Sequence, residues 1–350
     1  MKWQLYSIHK WCGLIAGIFI LLLGLSGALL VFHNEIDSLE HRAVWQIKNQ
    51  APVSIDKAYR IIQLRFPDYE TRLTRYSATP GQALVFSIRK KGESRIVISH
   101  PSNGSILKQQ DKNTTWSTWL LDLHYSLQGG SFGKLAIFVF GLIFFTSLTT
   151  GIFIYRKNIL KVLIFKAPFK WRPKKAFSSS LHRYVAVWAL LLNLLLVVTG
   201  LLISFDNLSH HGTINTASSQ PVKVSLDSII RVVTSRYPNF TPTYIRFPKR
   251  GGQPLMINGK VKGAAFYWTQ YYNEITVDLV TGKINPLKLT SEGSLKTKIA
   301  SFVGVIHLVE FDSFLMKLLF SFAGLSAPTL TITGFILWKS KKRAVSSTTG

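Results

Sequence analysis

Four long apolar runs divide the chain, at roughly 11 to 32, 132 to 155, 184 to 205 and 314 to 338. Each reaches the ~20 residues needed to cross a ~30 Å hydrocarbon core as a helix, so the pattern predicts four transmembrane helices. Polar segments separate the first run from the second and the third from the fourth. In the first polar segment, Ile55, Ala58, Tyr59, Ile62 and Phe66 recur at three- and four-residue steps, the spacing of an amphipathic helix. Alternating runs around 72 to 78, 83 to 89 and 95 to 99 then predict strands. The other polar segment predicts a helix over 225 to 236 and strands around 243 to 247, 254 to 257, 263 to 271 and 274 to 279. Turn signals close both, Asn103-Gly104 and Thr281-Gly282.

The two polar segments share more than a pattern. Val53, Ser54, Asp56, Arg60, Arg65 and Pro67 recur 171 residues later as Val224, Ser225, Asp227, Arg231, Arg236 and Pro238. The apolar runs repeat as well. His9 and His182 each precede a Ser/Thr-Gly pair whose glycine, Gly27 or Gly200, lies 18 residues on. His124 and His307 each lie 27 residues before the glycine of a Thr-Gly pair, Gly151 or Gly334, and each has a lysine ten residues on, Lys134 or Lys317. The fold class expected is an integral membrane α+β protein: four transmembrane helices as a tandem duplication, with two periplasmic α+β domains.

Boundaries follow. Helix 1 occupies 1–33, the first external domain 34–118, and an interfacial segment with helix 2 119–156. A basic loop covers 157–181, helix 3 182–206, the second external domain 207–300, an interfacial segment with helix 4 301–339, and a tail 340–350.

Charge orients this plan. Arg156 to Arg183 holds nine Lys or Arg and no acid, and further basic residues sit at Lys2, Lys10, Lys339, Lys341, Lys342 and Arg343. The positive-inside rule makes all three regions cytoplasmic, so both termini are inside and the protein is multi-pass. The first run is too long for a cleavable signal and reads as a retained anchor. Most of the formal net charge of +26 is then topology, and with no base-stacking motif beside a basic tract a nucleic-acid partner is disfavoured. The lipid bilayer is the partner the composition demands. Cys12 is the single cysteine, so the external segments cannot be held by disulfides.

Histidines at duplicated membrane positions carry the candidate chemistry. His9 and His182 open helices that leave the cytoplasm, whereas His124 and His307 precede helices that enter from outside. His9 to Gly27 spans about 27 Å of helix, so the pairs lie in different layers and two centres are expected, His9 with His182 and His124 with His307. That suits two bis-histidine b-type haems per chain. A histidine at a helix end is ordinarily an interfacial polar residue; its recurrence at four duplicated positions favours ligation. Gly13 and Gly17 beyond His9, and Ala186 and Ala189 beyond His182, leave room beside the inner pair, and no such stripe follows the outer ones. His33 is a weaker outer-side candidate, since its repeat partner is Asp206. His41, His100, His210 and His211 have no repeat partners and read as surface residues. Lys134 and Lys317 read as snorkelling cations. Phe266, Tyr267, Trp268, Tyr271 and Tyr272 read as a strand core.

His9-Lys10-Trp11 with Gly13, Leu123-His124 with Gly133-Lys134, Leu181-His182-Arg183, Ile306-His307-Leu308 and the Thr-Gly pairs resemble the PepSY-associated transmembrane family, and the Val-Ser-Ile/Leu-Asp helices resemble its external PepSY domains. The resemblance implies an inner-membrane ferrisiderophore reductase carrying haem, linked to iron uptake: an oxidoreductase whose partners are a ferric siderophore or similar chelate and an electron donor in trans. Relatives with a C-terminal flavin and nicotinamide module differ from this chain, which stops twelve residues after Trp338. Two other readings compete, a haem-free PepSY membrane protein that binds or regulates a partner, and a small permease.

Overall fold

A computed structural model describes residues 2–40, 42–45, 47, 51–209, 218–220, 222, 224–249 and 253–346. His41, His210 and His211 lie outside the described residues. The chain divides into two units: residues 1–33, 120–211 and 306–350 form one, and 34–119 with 212–305 the other. In chain order the helices are α1 (Lys2–Leu30), α2 (His33–Glu40), α3 (Arg42–Trp45), α4 (Ile55–Arg65), α5 (Trp116–Ser126) and α6 (Gly130–Tyr155). There follow α7 (Ile159–Leu163), α8 (Lys174–Trp188), α9 (Leu190–Ser209), α10 (Leu226–Arg236), α11 (Leu295–Leu308) and α12 (Phe314–Ser346).

The first unit is the membrane bundle. Trp3–Leu30, 130–163, Leu190–Ser209 and 314–340 are long and apolar enough to span, with mean hydropathies of 2.5, 2.2, 1.9 and 1.5. Large apolar side chains point outward along them, including Ile18, Phe132 and Leu191 at 66%, 88% and 77% exposure, as lipid-facing surfaces require. Between the helices the residues are small. An ideal Cβ on Gly24 would come within 2.5 Å of Pro328 Cδ, and Ser321 Oγ donates to the Ala28 carbonyl at 3.1 Å, so α1 and α12 approach through small-residue positions. Asn193, the main polar side chain of α9, donates to Ser326 Oγ at 2.8 Å. The third run is not one helix, because α8 ends at Trp188, capped by Ala189, and α9 begins at Leu190.

The second unit is an antiparallel sheet with helices on it. Strands β1 (Glu70–Arg75), β2 (Leu84–Lys90), β3 (Glu93–Ser99), β4 (Ile106–Asp111), β5 (Phe240–Arg246), β6 (Leu255–Val261) and β7 (Glu274–Val277) lie in the order β4-β3-β2-β1-β5-β6-β7. Both polar segments thus contribute to one seven-stranded sheet, joined where Leu73 pairs with Ile245. Leu73, Phe86, Ile245 and Ile257 on one face bury Ile62 of α4 and Val233 of α10, each such side chain contributing about 1.5–3 kcal/mol.

The two helices cap one another. Asp227 Oδ1 accepts from the Ile55 N–H and Oδ2 from Ser54 Oγ, both at 2.7 Å. Reciprocally, Asp56 Oδ1 accepts from the Leu226 N–H and Oδ2 from Ser225 Oγ, both at 2.6 Å. Each carboxylate sits at the positive end of its partner helix as well as its own. Burial raises the Asp227 carboxyl above its ordinary value; the Ser54 and Ile55 donors oppose this, and the nearby Asp56 adds to it.

Two local expectations are corrected. β4 has no counterpart among the expected strands: Ile106 is its one residue packed against the core, and Gln109, paired with Val97, is polar, so apolar alternation is missing. The expected strand over 263–271 is a turn-rich loop ending in a 3₁₀ turn at Gln270–Tyr272. Gly263 sits at φ +84°, Phe266 is 74% exposed, and the Phe266, Tyr267 and Trp268 rings pack edge to face on each other, so they are not a strand core. Gly104 takes φ +77° with its Cβ position 2.6 Å from Ala58 N, a turn only glycine fits.

Candidate functional site

The helix breaks decide where the histidines stand. Leu127, Gln128 and Val309 adopt φ of 50°, 59° and 54°, ending α5 and α11 one to three residues beyond His124 and His307, so each outer histidine rides a short helix of its own. His9 lies within α1 and His182 within α8.

The structure brings these residues together as two pairs. The rings of His9 and His182 have centroids 6.3 Å apart with planes at 85°. Those of His124 and His307 are 6.2 Å apart at 45°. His33 joins neither: its Nδ1 bonds the Leu30 carbonyl at 3.0 Å, and it does not line either cavity. His100 accepts at Nδ1 from the Ser102 N–H at 3.3 Å, within its own turn.

One clamp recurs four times. His124 Nδ1 meets Ser26 Oγ at 3.0 Å, His307 Nδ1 meets Thr199 Oγ1 at 3.1 Å, and His182 Nδ1 meets Thr333 Oγ1 at 2.9 Å. His9 Nδ1 donates to the Ser147 carbonyl at 2.9 Å, with Thr150 Oγ1 at 3.5 Å. The hydroxyls settle the tautomers. Ser26, Thr199 and Thr333 already donate their single proton to the carbonyls of Leu22, Leu195 and Thr329, at 2.8, 2.7 and 2.7 Å, in the usual back-bonding of helical hydroxyls. With that proton engaged they accept from Nδ1–H, and the four rings read as Nδ1–H imidazoles with Nε2 unprotonated.

The glycine beside each hydroxyl completes the clamp. A Cβ at Gly27 would lie 2.9 Å from His124 Cε1, at Gly200 2.8 Å from His307 Cε1, at Gly151 3.3 Å from His9 Cε1 and at Gly334 3.6 Å from His182 Cε1. Gly27→Ala and Gly200→Ala should therefore displace the outer rings, whereas Gly334→Ala should leave the inner ones nearly in place. Histidine ring resonances of the four Gly→Ala variants check this order. The pairing crosses what the spacing suggests: Ser26-Gly27 follows His9 on α1 yet holds His124, and Thr150-Gly151 follows His124 yet holds His9.

Each pair opens on a cavity. The inner one, of about 350 Å³, is lined by Gly13, Gly17 and Ala186, with Lys10 and Arg183 among its polar residues; Ala189, at the α8–α9 break, is not among them. The outer one, of about 200 Å³, is lined by Gly24, Gly27, Gly141, Gly200 and Gly324. Small residues therefore do accompany the outer pair, but they come from α1, α6, α9 and α12 and leave no stripe after His124 or His307. Lys134 lines this cavity with its ammonium 5.3 Å from the Tyr125 ring centre, whereas Lys317 is buried elsewhere.

The donor set can be tested against haem. A metal–imidazole bond of about 2.0 Å and a further ~1.1 Å from nitrogen to ring centre, counted on both sides, put two trans imidazoles roughly 6.2 Å apart. Both pairs fit that separation. Edge-to-face packing spans it as well, at about 4.5–7 Å. No group of three or more His, Cys, Asp or Glu able to hold a metal exists among the described residues. A bare ion would thus find two protein ligands, whereas a porphyrin brings four nitrogens of its own.

Four apolar helices with an antiparallel sheet define a membrane protein of the α+β class. The chain belongs to the family described as the PepSY-associated TM region, which matches residues 6–341. No curated protein matches it.

Proposed function

We propose that this protein is a di-haem b-type electron-transfer protein of a bacterial inner membrane that reduces a ferric siderophore or similar ferric chelate on its periplasmic side. The observation that carries the reading is the recurring clamp on two paired imidazoles: Nδ1 of His124, His307 and His182 meets the hydroxyl of a Ser/Thr-Gly pair, and Nδ1 of His9 meets the Ser147 carbonyl. The absorption spectrum of the purified protein tests it. Low-spin haem bands supplied by two haems per chain are expected, and a protein free of haem after expression with ample haem overturns the reading.

His9 and His182 would hold the inner haem and His124 and His307 the outer one. When bound, the haems supply one-electron transfer from a cytoplasmic or membrane donor to ferric iron, which hard oxygen chelators hold far better than ferrous iron. The chain's own residues place and insulate them. Lys10 and Arg183 offer cations to haem carboxylates at the inner cavity and Lys134 at the outer. Ile20, Phe144 and Ala327 line both cavities, so a thin apolar wall keeps the centres near and water out.

The same reading takes the chain as a tandem duplication with two PepSY-like halves in the external sheet and both termini cytoplasmic. Each clamp then closes inside one half, His9 and His124 with α1 and α6, His182 and His307 with α9 and α12, while each haem bridges the halves. Topology is checked by thiol labelling in a Cys12→Ser background. Lys161→Cys should label only from the cytoplasmic side and Asn103→Cys only from outside; the reverse overturns the charge argument.

A further inference from the structure

The sheet face opposite α4 and α10 carries a row of arginines. Alternation puts Leu73, Phe86 and Ile245 against the helices, and Arg72, Arg89 and Arg246 on the other side of β1, β2 and β5. Arg72 pairs directly with Arg246 and Glu70 with Arg89. Like charges opposed across strands cost stability, and one acid answers them: Glu70, whose Oε1 lies 2.6 Å from Arg72 Nη2 and 3.8 Å from Arg89 Nη2, with Lys249 Nζ 3.4 Å from Oε2. Lys112 adds another cation. Burial, then the charges of Arg89 and Arg72, push its ammonium below its ordinary value, partly offset by Asp37. Three cations thus meet Glu70, with Arg246 paired to Arg72 and Lys112 beside Arg89 and Arg72.

Two guanidinium donors stand without a bond. Arg89 Nε and Arg246 Nε are buried and make no hydrogen bond among the described residues, which leaves two charged donors desolvated and unsatisfied. The side chains of Arg72 and Arg89 nevertheless remain 22% and 28% exposed, so a ligand can reach the row.

We propose that this row is a binding site for a polyanionic oxygen ligand of the polycarboxylate ferric-chelate class, with Arg89 and Arg246 as its principal donors. Guanidinium forks match carboxylate oxygens two at a time, and such a ligand satisfies the orphaned donors and relieves the Arg72–Arg246 repulsion. The anion site stands on this geometry; its identity as the substrate site rests on the reductase reading.

The test is calorimetric titration of the full chain in detergent with gallium(III) citrate, a redox-inert ferric citrate analogue. Wild type should bind, Arg89→Gln and Arg246→Gln should each weaken binding at least tenfold, and Arg89→Lys should fall between. Arg60→Gln/Arg65→Gln, which removes exposed charge from α4, should leave binding unchanged. Because the row is crowded with like charge, the Arg→Gln variants should melt no lower than wild type, which guards against misfolding. Absence of wild-type binding, or an equal loss in the α4 control, overturns the site. Arginine-dependent binding to phosphatidylglycerol vesicles, with none to gallium citrate, overturns it in favour of a lipid headgroup. A haem-free protein that still binds gallium citrate through Arg89 and Arg246 sinks the reductase reading and supports this site.

Discussion

His9→Ala and His182→Ala should each remove one haem per chain and leave the low-spin spectrum of the surviving centre. His124→Ala and His307→Ala should remove the other. The two rings of a pair stand 6.2–6.3 Å apart on different helices, so losing one takes half the axial ligation, while the second cavity keeps its own imidazoles and clamps. The double variant His9→Ala/His182→Ala should therefore still lose only one haem, and His9→Ala/His307→Ala should lose both. Haem content per chain by pyridine haemochrome assay reads these outcomes. Retention of both haems in His124→Ala would transfer the outer role to His33, against its bond to Leu30 and its place outside the cavity.

Replacing Glu70 should cost the sheet unit about 3–5 kcal/mol, the usual penalty for removing one partner of a buried charge cluster. The Glu70 side chain is fully buried, and Glu70→Gln would leave Arg72, Arg89 and Lys249 facing one another. Burial alone would raise the Glu70 carboxyl; the hydrogen bond and charge of Arg72, then the charges of Arg89 and Lys249, hold it below its ordinary value. A carboxyl depressed in the folded state contributes stability that is present above its unfolded pKa, about 4.3, and lost as pH falls through the folded one. Hydrogen exchange at the β1, β2 and β5 amides should show protection falling below about pH 4.3 in wild type, and Glu70→Gln should lack that part of the profile. Unchanged protection in Glu70→Gln at neutral pH would show that the cluster contributes no net stability.

Several features of the site could be read along the chain and others could not. The histidines and Ser/Thr-Gly pairs were visible because they recur in the sequence at fixed spacing. Their partnership was not: an 18-residue interval on one helix separates His9 from Gly27 by the thickness of the membrane, so each hydroxyl must serve a histidine from elsewhere. The glycines around the outer pair were missed for the same reason, since Gly141 and Gly324 belong to helices far from His124 in sequence. The arginine row offered a weak trace, Arg72, Arg89 and Arg246 alternating with core residues, but their convergence needs the β1–β5 pairing.

By itself the sequence determined the four apolar helices, the amphipathic helices at Ile55 and Leu226, and the family, because hydropathy, period and motif spacing are local properties of the chain. Only the tertiary structure decided that both polar segments share one sheet, that Asp56 and Asp227 cap each other's helices, and that each imidazole is clamped through Nδ1. Those depend on strand register and helix contacts between residues at least 98 positions apart. Backbone hydrogen bonds between β1 and β5 carry no side-chain signature, so the pairing that assembles the arginine row could be seen only once the chain was folded.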